Sequence, residues 1–245
     1  MKRESIYSEI IDIEQKTTYK EVDGTERVFT ARGDADSIEV FMPEAEKIDV
    51  QYAADSIMDL KYRNVTVGVI SEEGVLFVPE DAKQLARDYL YSLSIVNNDI
   101  HVILDWNTVD GACMIKGDLV LTVRHALPGD MDDSQKRTVG DRLAISVTLQ
   151  VNGEYVTQLG GKAYIAVKTE EGVNVYHVDT DGRAILIEST YHDGETHTVV
   201  NHFSIYMYTG EDISNGCPIL WIVLIIAAAI ALIALVLFWR KKHKD

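Results

Sequence analysis

Arg142-Leu143-Ala144-Ile145-Ser146-Val147-Thr148-Leu149-Gln150-Val151 carries Leu143, Ile145, Val147, Leu149 and Val151 at alternate positions, with Arg142, Ala144, Ser146, Thr148 and Gln150 between them. Successive side chains of a strand point to opposite faces, so this pattern predicts a β-strand with one buried and one wet face. Turn signals follow at strand spacing: Asn152-Gly153, Gly160-Gly161, Glu171-Gly172, Asp181-Gly182 and Asp193-Gly194. Such pairs accept the positive φ of tight hairpins. They delimit strands over residues 162–168, 173–179, 184–190 and 196–208, which read as an antiparallel meander or sandwich.

Working outward toward the N-terminus, short strands are expected near residues 27–30 and 37–42, and a short helix near 51–60. Residues 62–70 and 75–78, joined across Ser71-Glu72-Glu73-Gly74, read as a hairpin. Pro79-Glu80-Asp81 then opens a helix whose Ala82, Leu85, Ala86, Tyr89, Leu90 and Leu93 share one face, with acidic residues placed where the helix dipole favours them. Further strands are expected over 99–106 and 118–124. The polar, aperiodic stretch PGDMDDSQKRTVGD (128–141) reads as an exposed loop. The fold class is therefore mainly β, antiparallel sandwich or meander modules with one or two short helices.

Toward the C-terminus, the run that starts at Ile219 and stops at Trp239 holds no charged residue, Gly or Pro. Twenty-one residues rising roughly 1.5 Å each span about 30 Å, the thickness of a hydrocarbon core. Trp221 and Trp239 sit where indoles meet headgroups. A single transmembrane helix is expected there, with the lipid bilayer as its partner. Arg240, Lys241, Lys242 and Lys244 follow it, while Glu211 and Asp212 precede it, so the positive-inside rule puts the tail in the cytoplasm and the β domain outside the cell. Met1 to Lys20 has no apolar signal-peptide core. Either the chain is a fragment of a longer protein, or it is tail-anchored with its large domain in the cytosol. The organisation expected is a partial β segment or the end of a preceding module (1–62), a β-rich module (63–210), a juxtamembrane linker (211–218), the membrane helix (219–239) and a basic tail (240–245).

The net charge is −16 although the tail is basic. Such acidity argues against nucleic acid and anionic lipid headgroups as partners. The cysteines are Cys113 and Cys217, the second beside the membrane run, so a disulfide-stapled ectodomain is not expected. An envelope protein of a prokaryote fits better.

The succession Leu143 to Val151, Asn152-Gly153-Glu154, Leu159-Gly160-Gly161, Val175-Tyr176-His177-Val178-Asp179 with Asp181-Gly182, and His202-Phe203-Ser204-Ile205-Tyr206 resembles the β-rich modules near the C-termini of bacterial and archaeal cell-surface and S-layer-type proteins. In those modules a strand ending in a D-x-D-G turn is followed by a last strand ending in HFS-x-Y. The resemblance covers roughly residues 64–208. It implies a non-catalytic stalk, spacer or adhesion module facing other surface proteins or cell-wall components. Ser214-Asn215-Gly216-Cys217-Pro218 offers no LPxTG sorting motif, so retention in the membrane is expected rather than transfer to a wall.

Residues with chemical potential are few. His177, His192, His197 and His202 cluster in the last strands but show no metal-ligand spacing. Asp130, Asp132 and Asp133, and Asp179 with Asp181, resemble fragments of oxygen-ligand loops, yet the twelfth position from Asp179 is Thr190. Asp179 to Gly182 reads as a hairpin turn instead. Arg32-Gly33-Asp34 is the tripeptide that integrins read, and here reads as an ordinary turn. Asn64-Val65-Thr66 fits the N-glycosylation pattern. No cofactor, metal or external substrate is expected, and no catalytic residue is assigned, with one alternative. His202-Phe203-Ser204 resembles the cleavage site of self-processing ZU5-type and nuclear-pore domains. That likeness implies attack of Ser204 on the Phe203 carbonyl with His202 as base. A plain last strand explains the same residues, with Phe203, Ile205 and Met207 inward and His202, Ser204 and Tyr206 outward.

Overall fold

A computed structural model of the chain describes residues 15–20, 26–33, 37–43 and 64–213. The expected helix near 51–60, the apolar run 219–239 and the basic tail lie outside these residues. Among the described residues no helix is long and apolar enough to cross a membrane.

The strands are β1 (Gln15–Lys20), β2 (Glu26–Gly33), β3 (Ser37–Pro43), β4 (Asn64–Ile70), β5 (Val75–Val78), β6 (Ser92–Asn97), β7 (Ile100–Leu104), β8 (Leu119–His125), β9 (Leu143–Val151), β10 (Glu154–Tyr155), β11 (Gln158–Lys168), β12 (Asn174–Val178), β13 (Ala184–Ile187), β14 (Ser189–His192), β15 (Glu195–His202) and β16 (Ile205–Thr209). They form a nine-stranded sheet in the order β1-β2-β3-β4-β6-β7-β11-β15-β14 and a seven-stranded sheet in the order β13-β12-β16-β9-β8-β5, with β10 beside β9. The first sheet is antiparallel except where β4 runs parallel to both β3 and β6. Asn64 opens β4 and Arg32-Gly33 closes β2, while Asp34 lies outside the described residues.

Both sheets contribute to one core. Val67, Leu93, Ile95, Val102 and Ile165 from the first meet Leu121, Ile145, Val147, Leu149 and Tyr206 from the second. The alternation of Ile145, Val147, Leu149 and Val151 thus faces the core as the sequence requires. The face expected to be wet is so only in part, with Arg142, Thr148 and Gln150 half-buried. Ala144 and Ser146 are buried too, because a helix, α3 (Asp133–Val139), covers the outside of the second sheet and packs Val139 into a small cluster with Ala144, Tyr176, Val178, Ile205 and Met207.

Several expectations need correction. The segment expected as an exposed loop at 128–141 contains α3, started by Asp132, whose carboxylate accepts from Ser134 N and Gln135 N while Gln135 Oε1 accepts from Asp132 N. This reciprocal capping satisfies amide groups that a short helix otherwise leaves open. The strands expected as a hairpin, β4 and β5, belong to different sheets: β4 lies between β3 and β6, and β5 pairs with β8. The helix after Pro79 is α1 (Glu80–Asp88), shorter than the apolar stripe suggested, since Leu93 belongs to β6 and Tyr89 and Leu90 are exposed. A second helix, α2 (Trp106–Cys113), takes over where a strand was expected to run on to Trp106.

Gly160-Gly161 is not a turn but the interior of β11, where α2 approaches. Asp105 caps α2 by accepting from Thr108 N at 2.8 Å and also accepts from Lys162 N at 3.0 Å. A Cβ on Gly161 would stand 2.3 Å from that carboxylate, so only glycine admits the contact. The other turn pairs behave as expected: Asn152 and Gly153, and Asp193 and Gly194, all take positive φ at hairpin tips.

Two of the expected strands are each divided. Residues 184–190 split into β13 in the second sheet and β14 in the first, and 196–208 split into β15 in the first and β16 in the second. The chain therefore changes sheets at Glu188 and again at Phe203-Ser204.

Candidate functional site

The change of sheet at Phe203-Ser204 brings His177, His202 and Ser204 together. β15 ends at His202, Phe203 enters the common core, and Ser204 precedes β16, which lies between β12 and β9. β16 is buried along its whole length, so neither face is wet. This corrects the expected facing, in which Tyr206 pointed outward. Tyr206 and Tyr208 face the common core, whereas Ile205 and Met207 point into the cluster beneath α3. The corner shifts the alternation, so Phe203 and Tyr206 share the core.

The tie across the corner is a side chain bonded to its own upstream backbone. Tyr206 Oη donates to the carbonyl of His202, four residues earlier. The hydroxyl thus ties β16 to the last residue of β15 across the bend. Opposite Tyr206 in the β12 register stands His177. Its Nε2 shares a hydrogen bond of 3.0 Å with Ser204 Oγ, and its ring meets that of His202 edge-on, centroids 4.4 Å apart. His177 belongs to the second sheet and His202 to the first, so the pair bridges them. His202 Nδ1 lies 3.0 Å from Asn201 Oδ1, and its Nε2 is buried without a partner.

Burial lowers the proton affinity of both rings. For His177 the neighbouring His202 lowers it further, and Asp179 opposes. Both imidazoles are therefore held neutral, and Ser204 lies beside a neutral ring nitrogen. Burial also pushes the Tyr206 and Tyr208 hydroxyls well above their usual range, so they act as hydroxyls. Beside Ser204 lies a cleft of about 230 Å³ lined by Ser146, Thr148, Thr157, Thr180 and Phe203 among others.

Of the sequence-derived candidates, Ser204 and His202 are brought together, but the nitrogen on the hydroxyl is that of His177, not His202. The remaining histidines are not part of this group. His192 Nε2 lies 2.9 Å from Asp193, and His197 lies 3.7 Å from Glu195 with its proton affinity lowered by burial. Among the described residues no group of three or more His, Cys, Asp or Glu is arranged to hold a metal ion. The aspartates are engaged in local structure. Asp130 pairs with Arg124 and accepts from Leu127 N, Asp132 caps α3, and Asp179 accepts from Arg183 N at 2.8 Å in the hairpin turn.

One buried residue escaped sequence reasoning. Lys83 is fully buried in α1, and its Nζ donates to the carbonyls of Ala112, Ile115 and Gly117 at 3.2, 2.7 and 2.7 Å. It satisfies the orphan acceptors at the end of α2, which is a structural role. Its place beside Ala82 and three residues before Ala86 on the apolar stripe was the available signal.

The chain leaves the fold through a pinned exit. Tyr176 Oη donates to Glu211 O at 3.3 Å and accepts from Ile213 N at 3.1 Å, and Arg142 pairs with Glu211 at 2.7 Å. No family model, no curated protein and no solved structure matches the chain.

Proposed function

We propose that the chain is a non-enzymatic stalk or adhesion module of a prokaryotic cell surface, held on the membrane by the apolar run that begins at Ile219. The observation that supports this reading best is the placement of β16, the last strand before that run. It lies inside the second sheet between β12 and β9, paired antiparallel to both. Tension arriving from a membrane helix would load the ladder hydrogen bonds of two neighbours together, and the Tyr176 and Arg142 ties beyond Thr209 would carry part of it first. A tether joined to an edge strand would peel one ladder at a time. The acidic surface and the lack of a disulfide framework suit the same setting. Protease added to intact cells expressing the native gene is expected to remove epitopes within residues 64–208 and leave a membrane stub. Protection of the β domain until the membrane is permeabilised would sink the surface reading in favour of a cytosolic, tail-anchored one.

A second reading is favoured by the Ser204 and His177 contact. A neutral imidazole at 3.0 Å can take the Ser204 proton as its Oγ attacks the Phe203 carbonyl. The Phe203–Ser204 amide bond would break as the nitrogen accepts that proton, and water would hydrolyse the resulting ester. The two fragments would stay together through β16. The measurement is the mass of the purified chain under denaturing conditions. A persistent 27.4 kDa species without a new amino terminus at Ser204 rules cleavage out, whereas cleavage abolished by Ser204→Ala and by His177→Gln supports it.

A further inference from the structure

We infer that His177 and His202 form an acid-operated latch on the last strand, whose protonation opens the corner at Phe203-Ser204 and loosens β16 while the first sheet away from the corner stays folded. This inference stands independently of the surface reading, because it rests on the packing of two rings.

The geometry makes the pair intolerant of charge. The ring centroids are 4.4 Å apart, so a proton on each would set two cations against one another in a half-buried site. A proton on His202 Nε2 would add a donor at a position where the buried nitrogen has no partner. A proton shared with His177 Nε2 would leave that nitrogen able only to donate to Ser204 Oγ. The surroundings offer little compensation. Of the charged groups near the pair, the turn after β12 supplies Asp179, which favours the charged His177 but ranks behind burial and His202. From β16 comes Tyr206, with its ring 6.0 Å from His177 and 6.1 Å from His202 and its hydroxyl kept protonated by burial. Opposite His177 on β13 stands Ile185, and opposite Tyr206 on β9 stands Ile145.

The consequence falls on β16 because the corner's side-chain ties run through these residues. Ser204 is held by His177, and Tyr206 is held by the carbonyl of His202. If His202 moves away from a charged His177, the carbonyl that receives the Tyr206 hydroxyl moves with it. The link from the first sheet to β16 then lengthens, and β16 keeps only its ladders to β12 and β9.

Hydrogen exchange on the full chain in detergent micelles tests this. After correction for the chemical exchange rate, peptides spanning residues 201–209 are expected to exchange on the order of tenfold faster at about pH 5 than at about pH 7.5. Peptides from β6 and β7 are expected to change little. The double variant His177→Gln, His202→Gln is expected to lose the acid response at 201–209. Equal protection of 201–209 at the two pH values in the unmodified chain overturns the inference, as does loosening spread evenly over both sheets or an undiminished response in the double variant. Should that variant fail to fold, the ring resonances of the unmodified chain decide. Titration of His177 and His202 below the pH of a free histidine peptide, together with loss of β16 protection over the same range, supports the latch. Titration at or above that pH overturns it.

Discussion

Among the places where the chain passes between its sheets are Glu188 and Phe203-Ser204, and these two crossings are built from different materials. The first joins β13 to β14, each an outermost strand of its sheet. Glu188 is exposed, as are Ile185 and Leu186 before it and Tyr191 after it, and one side-chain bond, Thr198 Oγ1 to the Glu188 carbonyl at 3.0 Å, steadies the bend. The second crossing joins β15 to β16, both interior strands. Phe203 there is 8% exposed and Tyr206 fully buried. At an edge, water satisfies whatever the ladder drops. In the interior, a side chain must do it, so Tyr206, Ser204 and His177 are recruited.

The contrast predicts a steep order of effects. Phe203→Asp is expected to unfold the domain, since an unpaired carboxylate in the common core costs several kcal/mol, and Phe203→Ala is expected to cost ~3–5 kcal/mol by urea denaturation. Tyr206→Phe leaves the His202 carbonyl without its donor and should cost ~1–2 kcal/mol, with the ring retained. Acid should act at this crossing as well. His177 and His202 hold their protons more weakly in the folded chain than in the unfolded one, so the unfolded state binds more protons. Their contribution to stability is then complete above about pH 6.5 and lost progressively as pH falls below it, which urea midpoints in a pH series would trace. At the edge crossing, Thr198→Val should cost about 1 kcal/mol, and Glu188→Ala should stay within ~0.5 kcal/mol. A Glu188→Ala variant as damaged as Tyr206→Phe would erase the distinction between the crossings.

The legibility of the sequence follows the same line. Asn152-Gly153 and Asp193-Gly194 were readable because backbone conformation at a hairpin tip is a local matter, and Leu143 to Val151 because alternation is. Sheet membership is not local. Residues 196–208 alternate well enough to read as one strand, yet the pattern reports which side chains are apolar and not which sheet each half joins. Likewise β4 and β5 carry hairpin-like patterns, and their partners, β3, β6 and β8, are decided by packing far away in sequence. The helix α3 was hidden by its polarity, although Asp132 and Gln135 carry the capping signature. Within the candidate site, His202-Phe203-Ser204 was visible as a tripeptide. Its partner His177, 27 positions from Ser204, became identifiable only through the pairing of β12 with β16.

Cys113 extends this picture to the contact between α1 and α2. Its thiol is 8% exposed, donates to the Lys83 carbonyl at 3.3 Å, and is made less acidic by burial. Because alkylating reagents attack the thiolate, the folded chain shields this atom both sterically and chemically, and modification must wait until α1 lifts from α2. The rate at which Cys113 is alkylated is thus a built-in clock for that opening, readable by peptide mass. Run at neutral and acidic pH, it reports whether loosening at the histidine corner reaches the contact between α1 and α2.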